Sequence, residues 1–201
     1  IILLITKNLY NEYGNKNLCL AGGVALNCVA NGKILKQKLF KNLWIQPAAG
    51  DAGGSLGAAL AIYYEYFKKK RITKKNDSMK NSYLGPSFSN IEIKKFLDKK
   101  KTKYKFENER NLISSVASSL SKGKIIGWFQ NKMEFGPRAL GNRSIISDPR
   151  SNEMQKNLNL KIKFRESFRP FAPIVLKEKV SKWFSFNGSS PYMLLVSHIK
   201  D

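Results

Sequence analysis

The chain has 201 residues, of which 42% are hydrophobic, and its formal net charge is +22 at pH 7. This composition supports a packed core, and with only Cys19 and Cys28 it excludes a disulfide-stabilised scaffold and favours a reducing compartment. No apolar run approaches the roughly 20 residues that a bilayer-spanning helix needs, and no basic flank makes residues 1–5 a secretory signal. We therefore expect a cytoplasmic protein without a membrane partner. We interpret the first residue, Ile1, and the apolar run before Asp201 as truncation at both ends.

Residues 1–67 contain a strand–turn–helix pattern twice. The predicted elements are a strand at 18–20, a helix at 24–39, a strand at 43–45 and a helix at 55–67. A glycine-rich turn follows each strand, Gly22-Gly23 after the first and Gly50-Asp51-Ala52-Gly53-Gly54 after the second. The alternation is typical of an α/β domain, in which ligands bind at the carboxyl ends of the strands.

Residues 68–82 are charged and lack hydrophobic periodicity, which predicts a linker. A second α/β unit is predicted to follow it. Its predicted elements are a helix at 91–99 capped by Ser89-Asn90, a helix at 110–120, a strand at 124–130, a helix at 151–158, a strand at 171–176 and a helix at 177–184.

The positive charge has two sources with different meanings. Many lysines lie in tracts such as 68–75 and 99–105, which we interpret as solvated surface. Five of the seven arginines instead fall in one short region, at Arg138, Arg143, Arg150, Arg165 and Arg169. The planar guanidinium fork matches phosphate and carboxylate oxygens, so the arginine cluster predicts an anion site. A basic nucleic-acid-binding fragment is the alternative, and only the overall charge favours it.

Two of these arginines lie in the loop 133–144, which directly follows the strand predicted at 124–130. Its sequence is Met133-Glu134-Phe135-Gly136-Pro137-Arg138-Ala139-Leu140-Gly141-Asn142-Arg143-Ser144. Glycine and proline bend the backbone close to a ligand, and the two arginines supply cations. The loop is therefore predicted to bind a phosphorylated substrate.

A second cationic segment begins at Lys161. If residues 161–165 form a strand, Lys161, Lys163 and Arg165 lie on one face and repel each other unless an anion lies among them. Glu166 would then point to the opposite face and leave the three cations unneutralised. An ATP or acyl-phosphate site is the functional interpretation, and a solvated basic strand is the alternative.

The two glycine turns offer further candidates. Gly22-Gly23 brings backbone N–H groups within reach of a ligand at a helix N-terminus, where Asn27 is able to bond a base or a ribose. A plain tight turn is the alternative. Asp51 is either a metal ligand or the N-cap of the following helix. His198 is the only histidine and is distant in sequence, so any histidine partners of Asp51 would come from outside the chain.

Four segments occur in an order that resembles the O-carbamoyltransferases of the nodulation-protein-U and tobramycin or cephalosporin carbamoyltransferase family. They are Gly22-Gly23-Val24-Ala25-Leu26-Asn27-Cys28, Pro47-Ala48-Ala49-Gly50-Asp51-Ala52-Gly53, the loop 133–144 and the segment 163–173. The loop is the most specific of the four. The resemblance covers nearly the whole chain outside the linker and residues 99–111.

The resemblance implies two fused α/β domains. Residues 1–67 would be the C-terminal portion of an actin/sugar-kinase-like (ASKHA) carbamoyl-transfer domain, and residues 83–201 an incomplete YrdC-like domain. In such enzymes the YrdC-like domain forms carbamoyl adenylate from carbamoyl phosphate and Mg-ATP. The kinase-like domain then moves the carbamoyl group to a hydroxyl of a small-molecule acceptor. We expect this chain to be a piece of such an enzyme and to be inactive alone.

The same resemblance implies roles for individual residues. The catalytic cations would be Arg138, Arg143, Lys163, Arg165 and Arg169, and the nucleotide-binding residues would be Gly22, Gly23, Asn27, Ser144 and Lys161. Asp51 would hold a divalent metal such as iron, zinc or manganese together with two histidines from outside the chain. This implication favours the metal role of Asp51 over the cap.

The sequence departs from the family pattern at one place and leaves one related function open. Asn131-Lys132 stands where a Gly-Arg pair is expected, so Lys132 keeps the charge without the bidentate fork. A tRNA threonylcarbamoylation enzyme would share both folds and would suit the basic charge. The segment 134–144 favours the small-molecule carbamoyltransferases instead.

Overall fold

A computed structural model describes residues 1–73 and 76–200, and the chain divides into two compact units. The first unit comprises Ile1–Gly85, Glu134–Leu140 and Val175–Asp201, and the second comprises Pro86–Met133 and Gly141–Ile174. Both contain helices and strands, which confirms the α/β class at this level. The predicted domain ends at 67 and 83 stay a prediction. Lys74 and Lys75 of the predicted linker lie outside the described residues, as does Asp201.

Helices and short strands alternate along the chain. In order they are α1 (Ile2–Tyr13), β1 (Asn17–Leu20), α2 (Cys28–Gln37), β2 (Asn42–Ile45), α3 (Asp51–Ala61, continued by the π-helical segment Ile62–Tyr66), α4 (Asn90–Lys99), α5 (Glu109–Ser121), β3 (Ile126–Phe129), β4 (Arg143–Ile146), α6 (Met154–Asn157) and α7 (Val180–Trp183). In the first unit β1 and β2 form a parallel pair, with Leu18 opposite Leu43. In the second unit β3 and β4 form an antiparallel pair. Within the described residues, none of the helices has the length and apolar character needed to cross a membrane.

The core of the first unit joins distant parts of the chain. Ala25, Ile45, Ala49 and Leu194 are buried and pack together. Asn31 on α2 is also buried, and its Nδ2 donates to the carbonyls of Ala25 at 2.8 Å and Leu194 at 3.1 Å. The amide therefore fixes the segment around Leu194 against the turn that follows β1, because a buried amide keeps its hydrogen-bond partners.

The helix predicted over 24–39 is wrong in its first turn. Gly23–Leu26 form a 3-10 turn, and α2 begins only at Cys28. Asn27 separates the two because its Oδ1 accepts a hydrogen bond from Ala30 N at 3.1 Å and caps α2. A short polar side chain that competes with the backbone in this way interrupts an otherwise helical pattern.

The glycine-rich turn after β2 is already helical. α3 begins at Asp51 rather than at the predicted 55, because the carbonyl of Gly50 accepts from Gly53 N at 3.0 Å and Gly54 N at 3.3 Å. A Cβ added at Gly53 would lie 2.0 Å from the carbonyl oxygen of Ala48. Glycine at this position therefore lets the preceding segment pass close under the first turn of α3.

The first half of the second unit follows the sequence prediction closely. Ser89 caps α4 through a capping box, in which its Oγ accepts from Glu92 N at 3.2 Å and the Glu92 carboxylate accepts from Ser89 N at 2.8 Å. This bond from the Ser89 backbone is the main reason that the pKa of Glu92 is lowered. The helix α5 and the strand β3 match the elements predicted at 110–120 and 124–130.

Residues 161–165 do not form the strand on which the repulsion argument depends. α6 continues directly into the π-helical segment Leu158–Lys163. Met154 and Leu158 are both buried, and this helical spacing outweighs the short alternation of cationic and apolar residues. The repulsion argument based on one strand face therefore does not apply to these cations.

The strand predicted over 171–176 is also wrong, because these residues have no regular secondary structure. Pro170 and Pro173 lack the backbone N–H that a strand ladder needs. The helix predicted at 177–184 is present in two parts, the 3-10 turn Lys177–Lys179 and then α7.

Candidate functional site

The loop Glu134–Leu140 brings an arginine to the first glycine turn. Arg138 Nη2 donates a hydrogen bond to the carbonyl of Leu26 at 3.1 Å. Leu26 ends the 3-10 turn that follows Gly22-Gly23, and the Arg138 side chain is half-buried. The structure therefore places Arg138 beside the turn that is predicted to contact the nucleotide.

Buried polar groups hold this loop closed. Glu134 is 5% exposed, and its Oε1 accepts from Leu140 N at 2.7 Å. Tyr83 OH donates to the Leu140 carbonyl at 2.7 Å, and Phe135 N donates to the carbonyl of Ser82 at 2.7 Å. Burial and the nearby Glu134 charge raise the pKa of Tyr83 above its usual value, so the phenol stays a donor.

The same loop packs on the segment that precedes α3. Gly136 has a φ of 114°, and a Cβ added there would lie 3.1 Å from the Cβ of Ala48 and 3.6 Å from the carbonyl oxygen of Pro47. Glycine is therefore favoured at position 136 both by the positive φ and by the close contact with Ala48. Three of the four motif segments meet in the first unit: the turn 22–27, the segment 47–53 and the loop Glu134–Leu140.

The predicted nucleotide turn is exposed and has a backbone that favours glycine. Gly22 has a φ of 90°, and Gly22, Gly23 and Asn27 all lie at the surface. Because Asn27 Oδ1 caps α2, the Nδ2 donor is the part of that side chain that remains for a nucleotide.

Asp51 is the first residue of α3 and is exposed, and the N-cap is Gly50. The cap interpretation of Asp51 is therefore wrong, although a carboxylate in the first helical turn still favours the helix dipole. Among residues 1–73 and 76–200, no group of three or more His, Cys, Asp or Glu side chains lies close enough to hold a metal ion. The metal role of Asp51 stays a prediction.

The end of the 133–144 loop belongs to the second unit and forms a tight turn. Asn142 is 4% exposed and its Nδ2 donates to the carbonyl of Lys132 at 2.7 Å. Ser144 Oγ accepts from Gly141 N at 3.0 Å. Arg143 begins β4 with an exposed side chain. Ser144 therefore shapes the turn, and its nucleotide contact stays a prediction.

Arg165 is the predicted site residue with the best-defined surroundings in the second unit. Its Nε donates to Asn159 Oδ1 at 2.6 Å, and its Cζ lies 4.9 Å from the centre of the Phe171 ring. Within the described part of the chain, neither Nη group of Arg165 donates a hydrogen bond to protein. The guanidinium is therefore held at its inner edge while its fork stays open for a phosphate or carboxylate.

The neighbouring cations are arranged differently. Arg169 Nε contacts Glu166 Oε2 at 2.7 Å in an exposed ion pair, so its fork is partly occupied. Bonds from the Glu166 backbone and from Arg169 hold the pKa of the Glu166 carboxyl below its usual value. Lys161 and Lys163 are exposed on the π-helical segment. Glu166 thus neutralises Arg169, a pairing that the strand prediction missed.

Sequence reasoning missed Asn159 and Tyr83, which shape the two arginine-bearing segments. Asn159 is 0% exposed although it lies between Leu158 and Leu160. An amide inside an apolar helical stretch is the pattern that would have indicated a buried hydrogen-bonding role. Tyr83 lies next to the predicted linker, and nothing in its local sequence indicates a contact with Leu140.

The two sequence profiles that match the chain describe the two ends of one kind of enzyme. The profile of the carbamoyltransferase N-terminus matches residues 1–60, and that of the carbamoyltransferase C-terminus matches residues 117–201. The chain belongs to the carbamoyltransferase family. This finding confirms the resemblance that the glycine turns and the arginine loop indicated.

Several relatives are named for nodulation. Nodulation protein NolO of Bradyrhizobium diazoefficiens is 40% identical over 94% of the chain and 34% of its own length. Nodulation protein U of Rhizobium fredii is 36% identical over 90% of the chain and 28% of its own length. An uncharacterized protein of Synechocystis sp. is 53% identical over 100% of the chain and 33% of its own length. The chain thus spans about a third of the length of these relatives.

Proposed function

We propose that the whole protein is an ATP-dependent carbamoyltransferase that acts through carbamoyl adenylate and transfers the carbamoyl group to a hydroxyl of a small-molecule acceptor. Membership of the carbamoyltransferase family supports the reaction class. The observation that carries the adenylate step is Arg165, whose guanidinium is fixed by Asn159 and Phe171 with an open fork. A guanidinium that is already fixed in this way binds a phosphate group better than the mobile guanidinium of a solvated surface arginine.

In the proposed reaction, water releases inorganic phosphate from carbamoyl phosphate, an oxygen of the resulting carbamate bonds to the α-phosphorus of ATP, and pyrophosphate leaves. The acceptor hydroxyl oxygen then bonds to the carbamoyl carbon, and AMP leaves with the loss of the hydroxyl proton. Negative charge grows around the phosphates in the transition state, and fixed cations stabilise it there. Arg165 would supply the fixed fork, with Lys161, Lys163 and Arg143 adding charge at the surface. Arg169 would contribute fully only when Glu166 is displaced.

The first unit would bind a nucleotide and support the transfer step. In this proposal residues 1–67 are part of an ASKHA domain, and 83–201 are part of a YrdC-like domain. Gly22, Gly23 and Asn27 would contact the nucleotide, and Arg138 would hold the loop Glu134–Leu140 against them. Asp51 with two histidines from the rest of the protein would hold iron, zinc or manganese, which polarises a carbonyl when bound.

Carbamoyl-phosphate-dependent ATP–pyrophosphate exchange tests the proposal in the whole protein. We expect exchange in the wild type and a loss of about 100- to 1000-fold in Arg165→Ala, since a preorganised cation is removed. Arg150→Ala is the matched control, because Arg150 lies in the same arginine-rich region but pairs with Asp148 at the surface. Its exchange should stay within about twofold of the wild type. Absence of exchange in a folded, ATP-binding wild type would contradict the adenylate step.

The net charge of +22 favours a second candidate, a tRNA threonylcarbamoylation enzyme. In that case exchange would depend on threonine and bicarbonate instead of carbamoyl phosphate, and tRNA would accept the product. A simple basic nucleic-acid-binding fragment would bind RNA without either exchange. Its binding would fall steeply with salt and would be unchanged in Arg165→Ala.

A further inference from the structure

Asn159 is a buried amide that holds both ends of the segment 165–169. Its relative exposure is 0%, and each polar atom of its side chain has a partner. Oδ1 accepts from Arg165 Nε at 2.6 Å, and Nδ2 donates to the carbonyls of Ser167 at 3.0 Å and Arg169 at 2.8 Å. Because a buried amide is costly to leave unpaired, this network has one favoured arrangement.

The backbone bends sharply to make these bonds. Phe164 has a φ of 49° and a ψ of 53°, a left-handed conformation that is unusual for a bulky residue, and its side chain is 85% exposed. Arg165 N then donates to the carbonyl of Asn159 at 3.0 Å. Such strained residues persist where surrounding bonds over-determine them, and they concentrate at ligand sites. The reversal at Phe164 turns Arg165 back onto Asn159.

The neutral charge of Asn159 matters for Arg165. A carboxylate at this position would also accept from Nε, but it would pair with the cation and weaken its attraction for an anion. The amide holds the guanidinium without adding a negative charge beside it. The Phe171 ring, 4.9 Å away, restrains the same group from its face without adding charge.

We propose that Asn159 is the positioning residue of the anion site, which fixes the open fork of Arg165 for a phosphate-bearing ligand. The identity of that ligand as ATP or carbamoyl phosphate rests on the proposed function. The restraint of Arg165 by Asn159 does not. Removing Asn159 should leave the charge of Arg165 in place, but lose its orientation and the two bonds to the Ser167 and Arg169 carbonyls.

Binding of inorganic pyrophosphate to the whole protein, measured by calorimetry, tests this role. We expect Asn159→Ala to weaken binding on the order of 10- to 100-fold, the size of effect that misplacing a binding group by about 1 Å produces. The matched control is Asn157→Ala. Asn157 ends α6, two residues before Asn159, and its side chain makes no hydrogen bond within the described residues. Wild-type affinity in Asn159→Ala would overturn the proposal.

A double-mutant cycle distinguishes positioning from general packing. In an Arg165→Ala background, Asn159→Ala should cause a much smaller loss of pyrophosphate affinity than in the wild type, because Asn159 acts mainly through Arg165. In the exchange reaction Asn159→Ala should raise the KM for pyrophosphate more than it lowers kcat. Equal losses in both backgrounds would contradict positioning, as would a fall in kcat with unchanged KM.

Asn159→Asp provides a second variant if Asn159→Ala does not fold. The carboxylate keeps the size and the acceptor toward Arg165, but it adds a negative charge and removes the Nδ2 donor to the Ser167 and Arg169 carbonyls. Both changes should weaken pyrophosphate binding. Pyrophosphate affinity equal to the wild type in folded Asn159→Asp would overturn the proposal. Because binding is measured without carbamoyl phosphate, a wild type that shows no exchange would contradict the proposed function while the comparison of variants still decides the role of Asn159.

Discussion

Arg138 and Arg165 are held by opposite ends of the guanidinium group. In the first unit, the terminal Nη2 of Arg138 is bonded to the Leu26 carbonyl. In the second unit, the inner Nε of Arg165 is bonded to the Asn159 amide, and both terminal groups are left without protein acceptors among the described residues. The Nη2 bond of Arg138 ties its loop to the first glycine turn, whereas the fork of Arg165 is the part that is available to an anion.

The buried polar side chains near these two arginines, Glu134 and Asn159, also differ in charge and in what they bind. Glu134 is charged and closes the loop Glu134–Leu140 through a backbone N–H. Asn159 is neutral and closes the segment 165–169 through two carbonyls and Arg165 itself. Arg138 and Arg165 were both predicted to bind phosphate. Their hydrogen-bond partners instead make Arg138 an anchor of its loop and leave Arg165 as the residue that faces a ligand.

The largest expected effect breaks the support beneath the Arg138 loop. Gly53→Ala should destabilise the protein by more than about 3 kcal/mol, because the new Cβ would lie 2.0 Å from the Ala48 carbonyl oxygen. Gly54→Ala is the matched control, since a Cβ there meets nothing within 4 Å. In a helix that substitution should stabilise by about 0.5–1 kcal/mol. Chemical denaturation measures both, and equal effects in the two variants would contradict the packing described here.

The next effect concerns the closure of the same loop. Glu134→Ala should cost about 2 kcal/mol of unfolding free energy, because Leu140 N loses a charged acceptor in a buried site. Glu134→Gln keeps an acceptor oxygen and should cost less. Denaturation curves for the pair give the comparison. If Glu134→Gln lowers the unfolding free energy as much as Glu134→Ala does, the charge of Glu134 stabilises the loop and not its bond to Leu140.

A smaller effect is expected from the ion pair between Glu166 and Arg169 in the second unit. Glu166→Gln should tighten pyrophosphate binding about two- to fivefold, because an exposed ion pair is weak and its removal frees the Arg169 fork. Glu153→Gln serves as the control, since Glu153 pairs loosely with Lys156 at 3.9 Å outside the 165–169 segment. Calorimetry at low salt measures both variants. Weaker binding in Glu166→Gln would mean that Glu166 orders the site.

The smallest effect is a pH dependence at Tyr83. Its pKa in the folded protein is raised above the ordinary 10.0, so the unfolded chain loses the phenolic proton first as pH rises. The stability contributed by Tyr83 is therefore complete below pH 10 and is lost above it. The difference in unfolding free energy between the wild type and Tyr83→Phe should narrow as pH rises from about 9 to 11. A constant difference would contradict the raised pKa.

The sequence predicted helices best where periodicity was long. The helices predicted at 91–99 and 110–120 agree with α4 and α5, because apolar residues recur over several turns in both and Ser89 caps α4. The strand considered at 161–165 is absent, because five alternating residues fit a helix end equally well. Short patterns are decided by burial of neighbours such as Leu158, which the sequence alone does not reveal.

The candidate site was likewise predictable in its residue types but not in its contacts. The chemistry of arginine indicated Arg138 and Arg165 before any fold was known, because few residue types grip phosphate. Their partners were not predictable, since the Leu26 carbonyl is far from Arg138 in sequence and Asn159 is hidden by its apolar neighbours. The sequence therefore identifies candidate groups, and tertiary contacts determine which of their atoms remain for a ligand.

The most direct test measures the KM for pyrophosphate in carbamoyl-phosphate-dependent exchange for Arg165→Lys and Arg138→Lys side by side in the whole protein. Both variants keep the charge and lose the fork. The account predicts that Arg165→Lys raises the KM at least about tenfold, as expected when a bidentate phosphate contact is lost. Arg138→Lys should mainly lower thermal stability. A larger rise in KM for Arg138→Lys, or no exchange in the wild type, would contradict the account.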